Sequence, residues 1–201
     1  MQHLETGAAH LPFLEKPLPM TYFETMLSLL KGRCIPDPLS NLTRLQYYCI
    51  INVLIFGLIY GSSAIYLSSV HLITEPQGIT LGIKVKILMA GASIAFLLHA
   101  GASLFFWVFF KAVGGALPFN ILYFQIGQAS ISMWPLAPFL AAFQAGLRHP
   151  VLSVITLFLS GYALMIYFKQ VSAISKLTRL KLGIAFAVAF IYISCFLYLW
   201  V

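Results

Sequence analysis

The apolar positions of this chain gather into long runs. Leu45–Leu67, Ile87–Phe110, Leu117–Phe143, Val151–Phe168 and Leu182–Val201 are nearly continuous in apolar residues, and a helix needs roughly 20 of them to cross a bilayer. A backbone in hydrocarbon has to satisfy its own hydrogen bonds, and no alternating ten-residue barrel pattern occurs, so each run predicts a transmembrane helix. Ahead of them, "TYFETMLSLLKGR" at 21–33 follows a different rule. Thr21 and Glu24 stand at capping-box spacing, and Phe23, Met26, Leu27 and Leu30 recur at i, i+3, i+4 and i+7, which predicts a one-sided helix. Lys31 complements its C-terminus and Gly32 can take the left-handed conformation that ends it. About three turns is too short to span a membrane. The face Phe23, Met26, Leu27 and Leu30 is therefore expected to lie in the interface or to dock on the membrane domain, with an ordinary short helix packed on the bundle as the alternative.

The fold class that follows is all-α: a polytopic membrane protein with five transmembrane helices in a compact bundle and a short amphipathic helix near 22–31. Residues 1–44 form a cytoplasmic N-terminal segment and 45–201 the five-span domain.

Small and polar residues inside the runs are the next signal. The first span carries Gly57 and Gly61, and the second carries Gly91, Ala95, His99 and Ser103 at four-residue spacing. Such stripes let helix backbones approach closely where lipid is as apolar as leucine, so these are expected packing faces. The third span places Gln125, Gln128 and Ser132 on one stripe, followed by Pro135 and Pro138, which should kink or break it. That polar face has to point into the bundle or toward a partner. It reads as interhelical hydrogen bonding or, alternatively, as a polar pathway. His99 is expected near the middle of its span, facing helices, with Gln128 or Ser132 as its partner. A buried imidazole can also ligate haem or a chlorophyll-type pigment, but no second intramembrane His accompanies it. No cofactor is expected, and His99 is the candidate if there is one. Lys111 marks a membrane boundary, and Gly114, Gly115 and Pro118 make a tight reversal into the third span.

Composition agrees: 61% of residues are hydrophobic and 8% charged, far from a soluble domain. Residues 1–75 hold all five acids, whereas 76–201 hold eight basic residues and none. The net charge of +7 is thus a loop signature and not a compact face for nucleic acid. Lys16, Lys31, Arg33, Arg44, Lys111, Lys169, Lys176, Arg179 and Lys181 fall on one side of the predicted spans, nine against Lys84, Lys86 and Arg148 on the other. This distribution predicts the N-terminus inside and the C-terminus outside. The first 44 residues are mixed and acid-containing, so the first span is expected to direct insertion without a signal peptide. Asn41-Leu42-Thr43 matches a glycosylation acceptor that would face the cytoplasm unused. Cys34, Cys49 and Cys195 lack metal-ligand spacing, and the last two sit toward opposite faces, so neither a disulfide nor a metal site is expected.

Catalytic chemistry is thin. No acid follows Glu75 to serve as general base or proton relay, and no phosphate-loop, zincin, nucleophile-elbow or CxxC pattern occurs. An enzyme is not expected.

"LLHAGASLFFWVFFKAVGGALPFN" at 97–120, with its mid-span His, Gly-Gly turn and aromatic entry to the third span, resembles the Yip family of Ypt-interacting-protein-like five-span domains. "SISMWPLAP" at 130–138 resembles the Ser and Pro positions of that family's third span. The segment before the first span reads "PDPLSNLTRLQYY", where eukaryotic members carry an Asp-Leu-Tyr-Gly-Pro type motif. The likeness is therefore to a bacterial-type member. It implies an inner-membrane location, with a eukaryotic endomembrane as the alternative, and partners that are lipid and other integral membrane proteins. The expected function is a non-catalytic scaffold or accessory subunit of a hetero-oligomeric assembly. The alternatives are a channel or transporter component using the Gln125, Gln128 and Ser132 face, and a cofactor- or pigment-carrying subunit using His99.

Overall fold

The computed structural model describes residues 21–33, 42–71 and 80–198. These residues form helices α1 (Tyr22–Leu30), α2 (Leu42–His71), α3 (Leu81–Ala112), α4 (Phe119–Ala129), α5 (Ala137–Gln144), α6 (Pro150–Ile174) and α7 (Arg179–Tyr198), with a 3-10 segment at Ser130–Leu136 between α4 and α5. No strand occurs among the described residues. Among the described residues four stretches are long and apolar enough to cross a membrane: Leu42–Val70, Leu81–Ala112, Phe119–Gln144 and Pro150–Ile174. Cys34, Asn41 and the end of the expected fifth span at Val201 lie outside the described residues.

Small residues set the first packing unit. A Cβ placed on Gly57 would come within 2.7 Å of the Ala92 Cα and 2.8 Å of the Gly91 carbonyl oxygen, and one on Gly91 would meet the Gly57 carbonyl oxygen at 2.7 Å. Gly61 lies similarly against Leu88. The pairs Gly61 with Leu88 and Gly57 with Ala92 run in opposite senses along the chain, so α2 and α3 are antiparallel and touch through their backbones. Contact this close is available only where no side chain intervenes.

The third span is the centre of the bundle. Its most apolar window is 56% buried inside the protein, against 22% for α2 and 11% each for α3 and α6. Pro135 lacks an N–H, so the α-helical ladder cannot continue through it, and the span runs as 3-10 helix from Ser130 to Leu136 with Pro135 inside. Pro138 then falls in the first turn of α5, where proline is tolerated. Phe106, Phe110, Leu122, Val171, Leu182, Ala185 and Ala189 form one buried cluster that draws α3, α4, α6 and α7 together.

The Gly-Gly reversal divides its labour. Gly114 has φ +92°, which glycine adopts without penalty. Gly115 leaves space for the ring of Phe110, which a Cβ there would strike at 2.1 Å. Its N–H also bonds the Phe110 carbonyl at 2.9 Å.

At the N-terminal end, α1 has both halves of a capping box between Thr21 and Glu24, and it closes at Gly32 with φ +67°. Of the expected face, Met26 and Leu30 pack on the bundle, while Phe23 and Leu27 turn to the outer surface, where a membrane interface would lie. Thr25, Met26 and Leu29 are buried, whereas Phe23 is 74% and Leu27 42% exposed. The reason lies in what α1 packs against. Met26 and Leu29 join Tyr48 and Ile131 in a buried cluster, and the Tyr22 ring meets Tyr48 edge-on at 5.0 Å. These partners belong to candidate spans, and in such surroundings the more apolar face of a helix has no reason to turn inward.

Candidate functional site

The polar side chains of the interior come together in two adjoining groups. The first joins α2, α3 and α4. Gly91, Ala95, His99 and Ser103 are all buried along one stripe of α3, and the antiparallel contact with α2 brings Cys49 opposite His99. Cys49 Sγ lies 3.6 Å from His99 Nε2. The imidazole ring also sits 4.4 Å from the Tyr123 ring. A neutral imidazole donates through one nitrogen and accepts at the other, so the tautomer sets which partner of the Cys49–His99 pair donates. Space for this pair comes from Gly127, where a Cβ would stand 2.1 Å from Cys49 Sγ and 3.0 Å from His99 Nε2.

The expected partnership of His99 with Gln128 or Ser132 is therefore not the one formed. The hydroxyl of Ser132 donates to the Ala129 carbonyl at 2.8 Å, and Gln128 gives its own carbonyl to α2. Matching spans by their midpoints misses this because the third span meets His99 through Tyr123 and Gly127, both on the start side of that span's middle.

The second group ties α1 to the bundle. Asn52 Nδ2 donates to the Gln128 carbonyl at 2.7 Å and approaches Met26 Sδ at 3.3 Å. Its Oδ1 accepts from the Tyr22 hydroxyl at 2.6 Å, and its backbone carbonyl accepts from Trp134 Nε1 at 3.0 Å. One fully buried asparagine thus holds α1, α2, α4 and the 3-10 segment. On the other side Gln125 Nε2 donates to Gln170 Oε1 at 3.0 Å, and Gln170 Nε2 donates to the Arg33 carbonyl at 3.1 Å. The Tyr162 hydroxyl donates to the Leu30 carbonyl. The last carbonyls of a helix have no partner within it, and here the spans supply one.

Gln125, Gln128 and Ser132 are all buried; the Gln125 amide bonds Gln170 and the Ser132 hydroxyl bonds its own span, while Gln128 takes part through its backbone carbonyl. Asn52, Gln170, Tyr123 and Gly127 are residues that reading the sequence did not single out, and Cys49 entered it only as a thiol without metal-ligand spacing. Asn52 within "IINVLI" and Gln170 within "YFKQVS" were visible as polar positions in apolar runs, and such positions need partners. Cys49 and Gly127 carried no comparable signal, since their importance is one of mutual fit.

Chemically the interior offers amides, hydroxyls, one thiol and one imidazole. Among the described residues no three His, Cys, Asp or Glu side chains gather to hold a metal ion. Cys49 and His99 supply two donors, fewer than the three protein ligands of an open zinc centre. The thiol is fully buried, and two clefts among the described residues lie elsewhere, between α6 and α7 and beside α1. Cys195 is free and exposed on α7, and Cys49 is free and buried. Ser103 Oγ and Gln125 Oε1 are buried without a hydrogen-bond partner.

No family model, curated protein or solved structure matches this chain.

Proposed function

We propose that this protein is a non-catalytic integral membrane scaffold or accessory subunit, working through helix–helix contacts with other integral membrane proteins. In this reading α7 is a fifth crossing, the N-terminus is cytoplasmic and the C-terminus external, in a bacterial inner membrane and with a Yip-like organisation. The observation that supports it most directly is the use of the interior polar groups. Asn52 engages both its amide and its backbone carbonyl with other elements, and Gln170 joins α6 to α4 and to the end of α1. Polar groups that act on a solute line an accessible cavity, whereas these are closed on one another and fix the arrangement of the helices. The outer surface is correspondingly apolar, with Leu157 and Phe158 of α6 more than 70% exposed.

The test is purification of the tagged full chain from native membranes in mild detergent, followed by identification of what co-purifies and by flux assays in liposomes. The expected result is a stoichiometric integral membrane partner and no solute flux. A chain that purifies alone and conducts ions or solutes would replace this reading with a channel built on the third span.

A further inference from the structure

The cleft between α6 and α7 has a volume of about 400 Å³ and is walled by Gly161, Met165 and Phe168 on one side and Gly183, Phe186 and Phe190 on the other. It is a gap in the packing, not a joint. A Cβ on Gly161 or on Gly183 would meet nothing within 4 Å, so these glycines do not serve close helix contact as Gly57 and Gly91 do. The Phe168 and Phe186 rings, 5.6 Å apart, close the gap toward the core. Met165 and Phe190 remain 44% and 53% exposed, which leaves it open along the outer surface.

Beyond its apolar lining, the helical register of both walls leads to charge. On α7 the lining positions Gly183, Phe186 and Phe190 extend by one four-residue step to Arg179, and the α6 lining extends past Phe168 toward Ser175 and the turn that carries Lys176. Lys176 and Arg179 are exposed. The hydroxyl oxygen of Ser175 is buried without a hydrogen-bond partner. The turn also opens α7, whose N-terminus presents the positive end of a helix dipole. Among the described residues the only carboxylate side chain is Glu24, which caps α1. An apolar trough that leads to two exposed cations is complementary to a molecule with a long apolar tail and an anionic head. Basic loops also face the leaflet that carries anionic lipid.

We propose that the α6/α7 groove binds one anionic phospholipid, an acyl chain lying between the two glycines and its phosphate held by Lys176 and Arg179. This does not depend on whether the protein acts as a scaffold. Arg179 supplies a planar fork suited to phosphate oxygens and Lys176 a point charge. Lys181 is exposed two residues from Gly183, hence on the other side of α7, and takes no part.

Native mass spectrometry of the full chain, with phosphatidylglycerol and phosphatidylcholine of identical chains added in turn, tests this. Phosphatidylglycerol should be retained over phosphatidylcholine, and its affinity should fall about fivefold for each of Lys176→Gln and Arg179→Gln, following from the attraction of one basic residue to anionic lipid. Lys181→Gln should leave it unchanged. Gly161→Leu and Gly183→Leu each fill open space, so both should fold, as checked by elution profile, and either should abolish retention of the lipid. Soluble glycerol phosphate should not compete. Equal retention of the two lipids, equal loss with Lys181→Gln, or full competition by glycerol phosphate would overturn the proposal. So would groove-filling variants that keep the lipid, or a groove cysteine pair that crosslinks two copies of the chain regardless of lipid.

Discussion

A missing side chain decides more here than most side chains present. Gly57 and Gly101 both sit in apolar helices and look alike in the sequence, yet a Cβ on Gly57 would lie 2.7 Å from a backbone atom of α3, while one on Gly101 would meet nothing within 4 Å. Backbone cannot step aside as a flexible side chain can. Gly57→Ala should therefore destabilise the protein by about 1–3 kcal/mol, the range for overpacked sites. Gly101→Ala should be neutral or stabilising by up to about 1 kcal/mol through helix propensity. Thermal unfolding of the two variants in one detergent checks this, and shifts of the same sign would mean that close approach of α2 and α3 does not hold the pair together. Four-residue spacing made Gly57, Gly61, Gly91 and Ala95 legible as a packing face, because a stripe is a property of one helix. The Cys49, His99 and Gly127 fit was not legible, because it is a property of three helices at once.

At the scale of elements, α1 marks the boundary of what periodicity can tell. Its start and its end followed from local rules: the Thr21–Glu24 box and the left-handed Gly32 both depend on residues a few positions apart. Which of its residues pack on the bundle and which face outward did not, since α1 docks on elements that are themselves long and apolar enough to cross a membrane, and apolar spacing alone does not separate the two surroundings. The break in the third span was legible for the same reason as the caps, being written in Pro135 and Pro138, although the length of the 3-10 stretch was not. The box also carries a pH dependence. The Thr21 backbone N–H and then its side chain hold the Glu24 carboxyl below its ordinary value of 4.5. A carboxyl depressed by folding contributes stability above its ordinary value and loses it as pH falls through the folded one. Hydrogen-exchange protection of residues 22–30 should decline on acidification below about pH 4.5, and Glu24→Gln, which keeps an acceptor at that position, should flatten the dependence. Unchanged protection in the parent chain would show that docking, and not the cap, holds α1.

Across the whole molecule, the helical class and four of the five expected spans, as stretches long and apolar enough to cross a membrane among the described residues, were legible from apolar run length alone, and the order of the helices in space was not. No feature of one segment says that the third lies at the centre. Yet its composition gave an indirect sign: its mean hydropathy is 1.2, against 1.9, 1.9 and 2.0 for the other three candidate spans, and it is also the most buried of the four. The least lipid-like segment is enclosed by the more lipid-like ones. That ordering has a consequence for biogenesis. A segment leaving the translocon on its own is sorted by its partition into lipid, and residues 119–144 carry Asn120, Gln125, Gln128, Ser130 and Ser132 into that decision. Their partners are split in time, since Asn52 of α2 is made earlier and Gln170 of α6 later. The third span is therefore expected to linger at the translocon until α6 emerges. Glycosylation mapping of insertion in microsomes should find residues 119–144 poorly inserted in a neutral host, better inserted behind residues 1–118, and fully inserted only when the chain extends through Ile174. Efficient insertion of the isolated segment would show that each crossing enters the bilayer unaided.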